Sequence, residues 1–262
     1  MQTRPKSRPA RLCLITAAVH VALLLGATSA DAQIINTLRG WQEDEPGWSG
    51  ELAAAIAIAQ GNTEYFEFDL SAAAQYWQDR HRVRGLASST RRTASDVEVA
   101  EAALLHLRYN YRLTPVVHSL VFIQAQRNPF QRIEGRYLLG LGARFDVVQA
   151  DSWDASLGAA YMREQENLTD DDSGTIGRNR GNFFATVLGK LTDQVRVDAY
   201  GFYQPVLNDF SNARISAGSN LDVALVGQLA LVVGFRLAYN SQPAAGVEKT
   251  DMWLRTGIRF TF

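Results

Sequence analysis

Cysteine is almost missing. The 262 residues contain one, Cys13. A disulfide-stapled secreted scaffold is therefore excluded. Long apolar runs are missing too. After Ala27 no stretch approaches the roughly 18–20 consecutive apolar residues of a membrane helix. Neither sign of charge dominates, with 26 Lys and Arg against 27 Asp and Glu. That balance gives no electrostatic case for nucleic-acid binding.

One apolar run does exist, and it is short. Residues 12–27 read "LCLITAAVHVALLLGA", preceded by Arg4, Lys6, Arg8 and Arg11 and followed by "SADAQ". Basic start, short apolar centre and the small-x-small pair Ala30 and Ala32 describe a secretory signal peptide cleaved after Ala32. Cys13 precedes the apolar centre, whereas a lipidated cysteine follows it. Cleavage removes four basic residues and one acid, leaving 22 against 26 and a net charge of −4. The mature chain of about 230 residues is then cysteine-free. An exported chain with no membrane helix is either soluble in the envelope or crosses a membrane as a closed barrel.

What fills the remainder is alternation. In "YFEFDLSAAAQY" (65–76), Phe66, Phe68, Leu70 and Tyr76 oppose Glu67, Asp69, Ser71 and Gln75. In "LALVVGFRLAY" (229–239), Leu229, Leu231, Val233, Phe235 and Leu237 oppose Arg236. "DMWLRTGIRFTF" (251–262) sets Met252, Leu254, Ile258, Phe260 and Phe262 against Asp251, Arg255 and Arg259. A period of two belongs to strands, since helices repeat at 3.6. Twelve strands are expected near 48–59, 63–77, 80–90, 97–113, 116–127, 132–148, 152–165, 181–192, 194–204, 211–223, 227–240 and 248–262. Residues 33–47 do not alternate and read as a periplasmic lead-in. Connections after strands 2, 4, 6 and 8 read as tight. Those after strands 3, 7, 9 and 11 read as longer, with residues 166–180 the longest.

Three features favour an outer-membrane barrel over a soluble sandwich. The strands are longer than the usual five or six residues and match the 9–11 needed to cross a bilayer at a tilt. The polar face carries full charges, expected to line a lumen: Glu67, Asp69, Arg108, Arg136, Arg144, Asp146, Arg196, Asp198, Arg236, Asp251, Arg255 and Arg259. Aromatics on the apolar face (Trp48, Tyr76, Tyr111, Trp153, Phe260 and Phe262) collect at one end as an interfacial girdle. The even strand number puts both barrel ends on the periplasmic side. Twelve strands leave room for a narrow lumen only.

Three stretches carry a resemblance: "WSGELAAAIAIAQGNTE" (48–64), "YLLGLGARFDVV" (137–148) and "KTDMWLRTGIRFTF" (249–262). Residues 48–262 resemble the salt-induced outer membrane protein family, a domain-of-unknown-function group of outer-membrane barrels. The resemblance implies an outer-membrane location and implies no activity, ligand or catalytic residue.

Catalysis has little to stand on. Barrel hydrolases use a His-x-Ser pair on one wall, whereas here His118 and Ser119 are adjacent and face opposite sides. His81 and His106 have no serine two residues on. Asp170–Asp172 could offer oxygen ligands to calcium, but a solvated loop explains them better, and no metal or cofactor is expected. The lumen charges read either as a selectivity constriction or as a self-neutralising network that plugs the barrel. The expectation is a monomeric, non-enzymatic barrel, either a narrow small-solute channel or a structural element; a lipid-modifying hydrolase is the alternative. Its expected partners are outer-membrane lipid and the barrel-assembly machinery, which would read Phe260 and Phe262. N-terminal sequencing of the exported protein should start within a residue or two of Gln33; a start at Met1 would contradict the signal-peptide reading.

Overall fold

The computed structural model describes residues 46–59, 65–94, 97–168 and 174–262. The expected signal peptide and Asp170–Asp172 lie outside these described residues. The twelve strands are β1 (Gly47–Ala59), β2 (Tyr65–Gln78), β3 (His81–Ala94), β4 (Val97–Arg112), β5 (Val117–Asn128) and β6 (Ile133–Ala150), then β7 (Trp153–Leu168), β8 (Thr175–Lys190), β9 (Val195–Val206), β10 (Asp209–Val226), β11 (Leu229–Asn240) and β12 (Thr250–Thr261). Each pairs antiparallel with its sequence neighbours, and β1 pairs with β12, closing the barrel. The chain is therefore an all-β, twelve-stranded antiparallel transmembrane barrel of the outer-membrane type.

Its outer wall is what makes the barrel a membrane protein. Leu105, Leu107, Ile123, Leu139, Leu141, Leu157, Leu254 and Ile258 all stand exposed on it. A continuous apolar belt of that size is not tolerated on a soluble monomer and is the natural surface toward lipid. At the end where β1 begins, Trp48 packs on Tyr76 with ring centroids 5.2 Å apart, and Phe260 on Phe262 at 6.2 Å. Trp153 is exposed at the same end.

Turn lengths differ from expectation in three places. The connections after β3 and β9 are two residues each, because β3 runs on to Ala94 and β10 starts at Asp209. The 166–180 segment is mostly strand: β7 extends to Leu168 and β8 begins at Thr175. In each case ladder pairing carries the strand beyond the last strongly alternating residue. Between β5 and β6 lies a 3-10 turn, Pro129–Gln131, capped by the Asn128 side chain accepting from the Gln131 N–H at 3.2 Å. A register shift between Ile133 and Gly135 then turns Ile133 inward and Glu134 out. Simple alternation assigns both to the opposite faces.

The interior is not uniformly polar. On β5–β9 the inward face holds Leu120, Phe122, Leu138, Ala160, Met162, Phe184, Tyr200 and Phe202, a buried apolar cluster inside the barrel. Phe184 meets Phe202 at 5.7 Å, and Tyr200 meets Phe202 edge-on at 5.8 Å. Two of these rings lie over glycines on the neighbouring strand. Gly140 pairs with Phe122 and Gly158 with Phe184. A Cβ at Gly140 would stand 2.2 Å from the Phe122 ring, and one at Gly158 2.0 Å from the Phe184 ring. Glycine there makes room for a ring in a narrow lumen. Gly140→Val should cost about 1–3 kcal/mol by overpacking, read as a lower urea midpoint of the barrel in lipid vesicles. Adding Phe122→Ala should recover part of the loss; an unchanged midpoint for Gly140→Val alone would contradict this packing.

Candidate functional site

Charge crosses the lumen in layers. The layer nearest the long loops centres on Glu164, a fully buried carboxylate of β7. Arg136 of β6 donates to it from Nε at 2.6 Å, Arg180 of β8 from Nε at 2.5 Å and Arg214 of β10 from Nη1 at 3.2 Å. Glu166 takes Arg214 Nη2 at 2.6 Å and Arg178 Nη1 at 3.1 Å. Arg136 also donates to Gln126 at 3.2 Å, and Arg180 to the Gln204 carbonyl at 2.9 Å. Such a network persists in the barrel interior because each charge faces an opposite charge, and Arg136 and Arg180 find further hydrogen bonds as well.

Two smaller layers line the wall around the β1–β12 closure. Arg255 of β12 bridges Asp69 at 2.8 Å and Glu67 at 3.3 Å on β2. Arg92 of β3 pairs with Glu67, and the Thr90 hydroxyl donates to Asp69 at 2.5 Å. One turn nearer the strand termini, Arg259 pairs with Asp222 of β10 and lies 3.4 Å from Glu51, which also takes Arg84 at 3.1 Å. Asp198 accepts from Asn220 at 2.9 Å. A fourth cluster joins β5, β6 and β7. His118 Nε2 lies 2.9 Å from Asp146, Arg144 pairs with Asp146 at 2.7 Å, and Arg144 Nε donates to Ser156 at 3.0 Å. Arg108 is buried with its guanidinium 5.7 Å from the Phe122 ring centre.

Two cavities flank these layers. A vestibule of about 240 Å³ lies at the long-loop end, among Arg136, Glu166, Arg178 and Arg214 on one wall and Glu248, Lys249 and Asp251 on the other. The β5–β6 turn and the β11–β12 loop reach over it. Gln131 donates to Asp251 at 2.9 Å, and Asn212 donates to Gln242 at 2.8 Å. A second cavity of about 100 Å³ lies among Asp69, Ser71, Thr90, Asn220, Arg236, Trp253, Arg255 and Arg259. Ala238 and Asp251 line the vestibule, while Arg236 and Trp253, the next inward residues along β11 and β12, line the second cavity. Trp253 is buried at this step.

The charged residues picked from the sequence fall as follows. Glu67, Arg108, Arg136, Arg144, Asp198, Asp251 and Arg259 are buried within the barrel; Asp69, Asp146, Arg236 and Arg255 are half-buried. Arg196 is exposed at the start of β9. The structure groups Glu67, Asp69 and Arg255, and separately Arg144 with Asp146. Sequence reasoning missed Glu164, Glu166, Arg178, Arg180 and Arg214, the centre of the largest network. Glu164 lies within the expected strand 152–165, in step with Met162, while Arg180 alternates with Asn182 and would have been found by carrying the strand at 181–192 back toward Thr175. It also missed that the inward face of β5–β9 is partly apolar.

The histidines make no catalytic pair among the described residues. His118 faces in and Ser119 does not; the Ser119 hydroxyl donates to the Tyr111 carbonyl at 3.4 Å. His81 contacts the Tyr109 hydroxyl at 2.8 Å, and His106 contacts Gln124 at 3.0 Å. Asp146 stands between His118 and the Arg144–Ser156 pair, so the imidazole is not placed against a serine hydroxyl.

A family model described as "Protein of unknown function, DUF481" matches residues 52–262. The chain belongs to this family. A search of curated proteins finds no match. Among solved structures it is similar to the NanC porin, at 12% identity and TM-score 0.52, over 82% of this chain and 100% of that one. It is likewise similar to the COG4313 outer membrane channel from Pseudomonas putida F1, at 10% identity and TM-score 0.52, over 86% and 98%. At such identities the likeness is one of fold.

Breaking the buried network should be costly. Glu164→Ala leaves three arginines facing a vacated site and is expected to destabilise the barrel by about 3–5 kcal/mol. Arg127→Ala, which removes the exposed pair with Glu101 at 2.6 Å, should cost less than about 1 kcal/mol. Urea unfolding of both variants in lipid vesicles checks the contrast, and equal losses would contradict it.

Proposed function

We propose that this barrel is a non-enzymatic outer-membrane channel for small polar solutes, with a path displaced to one side of the lumen. One observation carries the reading. The apolar cluster fills the β5–β9 side, while the vestibule and the second cavity follow one another along β11 and β12. Small inward residues keep that side open: Ala53, Ala55, Ser71, Gly234 and Gly257. Two barrels of similar fold are, by their names, a porin and an outer membrane channel. Lysine-free, mixed-sign ion pairs line the second cavity, so discrimination between anions and cations should be weak.

Export through the general secretory pathway and insertion by the barrel-assembly machinery belong to the same reading. The barrel works as a monomer in outer-membrane lipid. The runner-up, a structural barrel, differs only in having no open state. A lipid-modifying hydrolase lacks support, because none of His81, His106 and His118 contacts a serine among the described residues.

Planar-bilayer recording of the purified, folded protein tests the channel. A small, weakly selective conductance is expected, and Trp253→Ala should raise it several-fold by joining the two cavities. No conductance at any voltage from either form would overturn the channel reading in favour of a structural barrel. Release of fatty acid from phospholipid by the purified protein would overturn the non-enzyme reading.

A further inference from the structure

The barrel is closed by an unusually short ladder. β1 and β12 pair only from Glu51↔Thr261 to Ala54↔Ile258. Just beyond, Phe262 and Gly50 exchange backbone hydrogen bonds at 3.0 and 2.9 Å. The neighbouring ladder between β1 and β2 runs the whole strand, from Gly47↔Trp77 to Ala59↔Tyr65. Toward the long loops, Ala55–Ala59 of β1 and Thr250–Gly257 of β12 have no ladder partner across this seam among the described residues. Both segments remain paired on their other sides, to β2 and β11. Ladder hydrogen bonds are what hold a barrel wall shut in hydrocarbon, so this stretch is the weakest part of the wall and the place where two strands can part.

The second cavity lies where the paired stretch ends and the gap begins. Its walls include Ala53–Ala55 and Thr256–Ile258, inward and outward residues of both seam strands. It therefore meets the lumen on one side and the wall on the other. Its charged lining is Arg236, Arg255, Arg259 and a single acid, Asp69. Arg255 and Arg259 are committed to ion pairs. Arg236 has no ion-pair partner among the described residues, and it lies next to the gap, opposite Trp253 in the β11–β12 ladder. Around these cations stand Leu70, Val232, Trp253 and Ile258. Arg236 offers this cavity of about 100 Å³ a guanidinium without an ion pair among the described residues, which suits a compact head group of single negative charge such as a carboxylate.

We propose that the β1–β12 seam is a lateral portal for a single-chain amphiphile with an anionic carboxylate head, such as a long-chain fatty acid. The head group sits in the second cavity against Arg236, and the alkyl chain leaves between β1 and β12 into the membrane. The seam then serves exchange between lipid and lumen. The portal shares the second cavity with the proposed axial path but is read by binding and not by conductance, so either can fail without the other.

Electron paramagnetic resonance with doxyl-stearate tests it, using the full barrel folded into phosphatidylcholine vesicles. An immobilised spectral component is expected. Arg236→Gln should weaken it about tenfold, and Arg236→Lys should retain most of it. Continuing the ladder would set Ile56 opposite Thr256, so the double variant Ile56→Cys with Thr256→Cys can lock the gap by a disulfide. Oxidation should abolish immobilisation, and reduction should restore it, with heat-modifiable gel migration showing that each variant is folded. Immobilisation unchanged in Arg236→Gln, or in the oxidised lock, would overturn the portal. So would equal, Arg236-dependent immobilisation of doxyl-phosphatidylglycerol, which would make the ligand a phospholipid. A disulfide formed between two chains would make the seam a contact between copies and overturn it as well.

Discussion

In hydrocarbon a peptide group has no water to bond, and every strand edge must therefore find another strand. The rest of this molecule follows from that requirement. It forces the twelve strands into a ring, and the ring assigns each side chain to lipid or lumen by parity alone. Outward positions become Leu, Ile, Val, Phe and Tyr. Inward positions must then fill a tube only twelve strands around. Among the described residues the requirement is met most thinly at the β1–β12 closure, and there Phe262 shares its backbone hydrogen bonds with Gly50. A side chain at Gly50 would collide with the Phe262 ring, since a Cβ there would lie 2.5 Å from it. The terminal aromatic is thus a closing piece of the ring as well as a girdle residue.

The lumen is filled in two different ways. On β5–β9 large apolar side chains interlock, with glycines on neighbouring strands giving their rings room. Over that cluster, toward the long loops, sits the Glu164 network, where buried carboxylates and guanidinium groups pair with one another. On the opposite side lie the second cavity, small inward residues and several half-buried ion-paired residues, while the vestibule at the long-loop end is walled by both sides. A barrel this narrow cannot be both packed and open across its whole section. It resolves the conflict by being packed on one side.

Much of this was legible in the sequence. Strand number, order, antiparallel pairing and the aromatic end all follow from period-two patterning and turn residues. So does the face of Arg136, Arg255 and Arg259. What was not legible has three physical causes. Strand ends depend on ladder pairing with a neighbour, which local alternation does not contain; Glu166, Arg178 and Arg180 were lost to a supposed loop for that reason. In "SLVFI" (119–123) both faces are apolar, so alternation cannot reveal that Leu120 and Phe122 point inward. The register shift after Ile133 reverses the parity of Glu134, and nothing in the neighbouring residue types announces it. Which charges meet across the lumen is a matter of curvature, visible only once the ring is closed.

The division of the lumen is the central claim, and thiol accessibility tests it most directly. Single cysteines would be placed at Ser71, Asn220 and Val232 on the open side and at Phe122, Met162 and Phe184 in the apolar cluster. The folded variants in vesicles would then be exposed to a small charged methanethiosulfonate reagent. Rapid modification of the first three and protection of the last three is the expected result. Equal modification of both sets would mean a centrally open pore and would contradict the account.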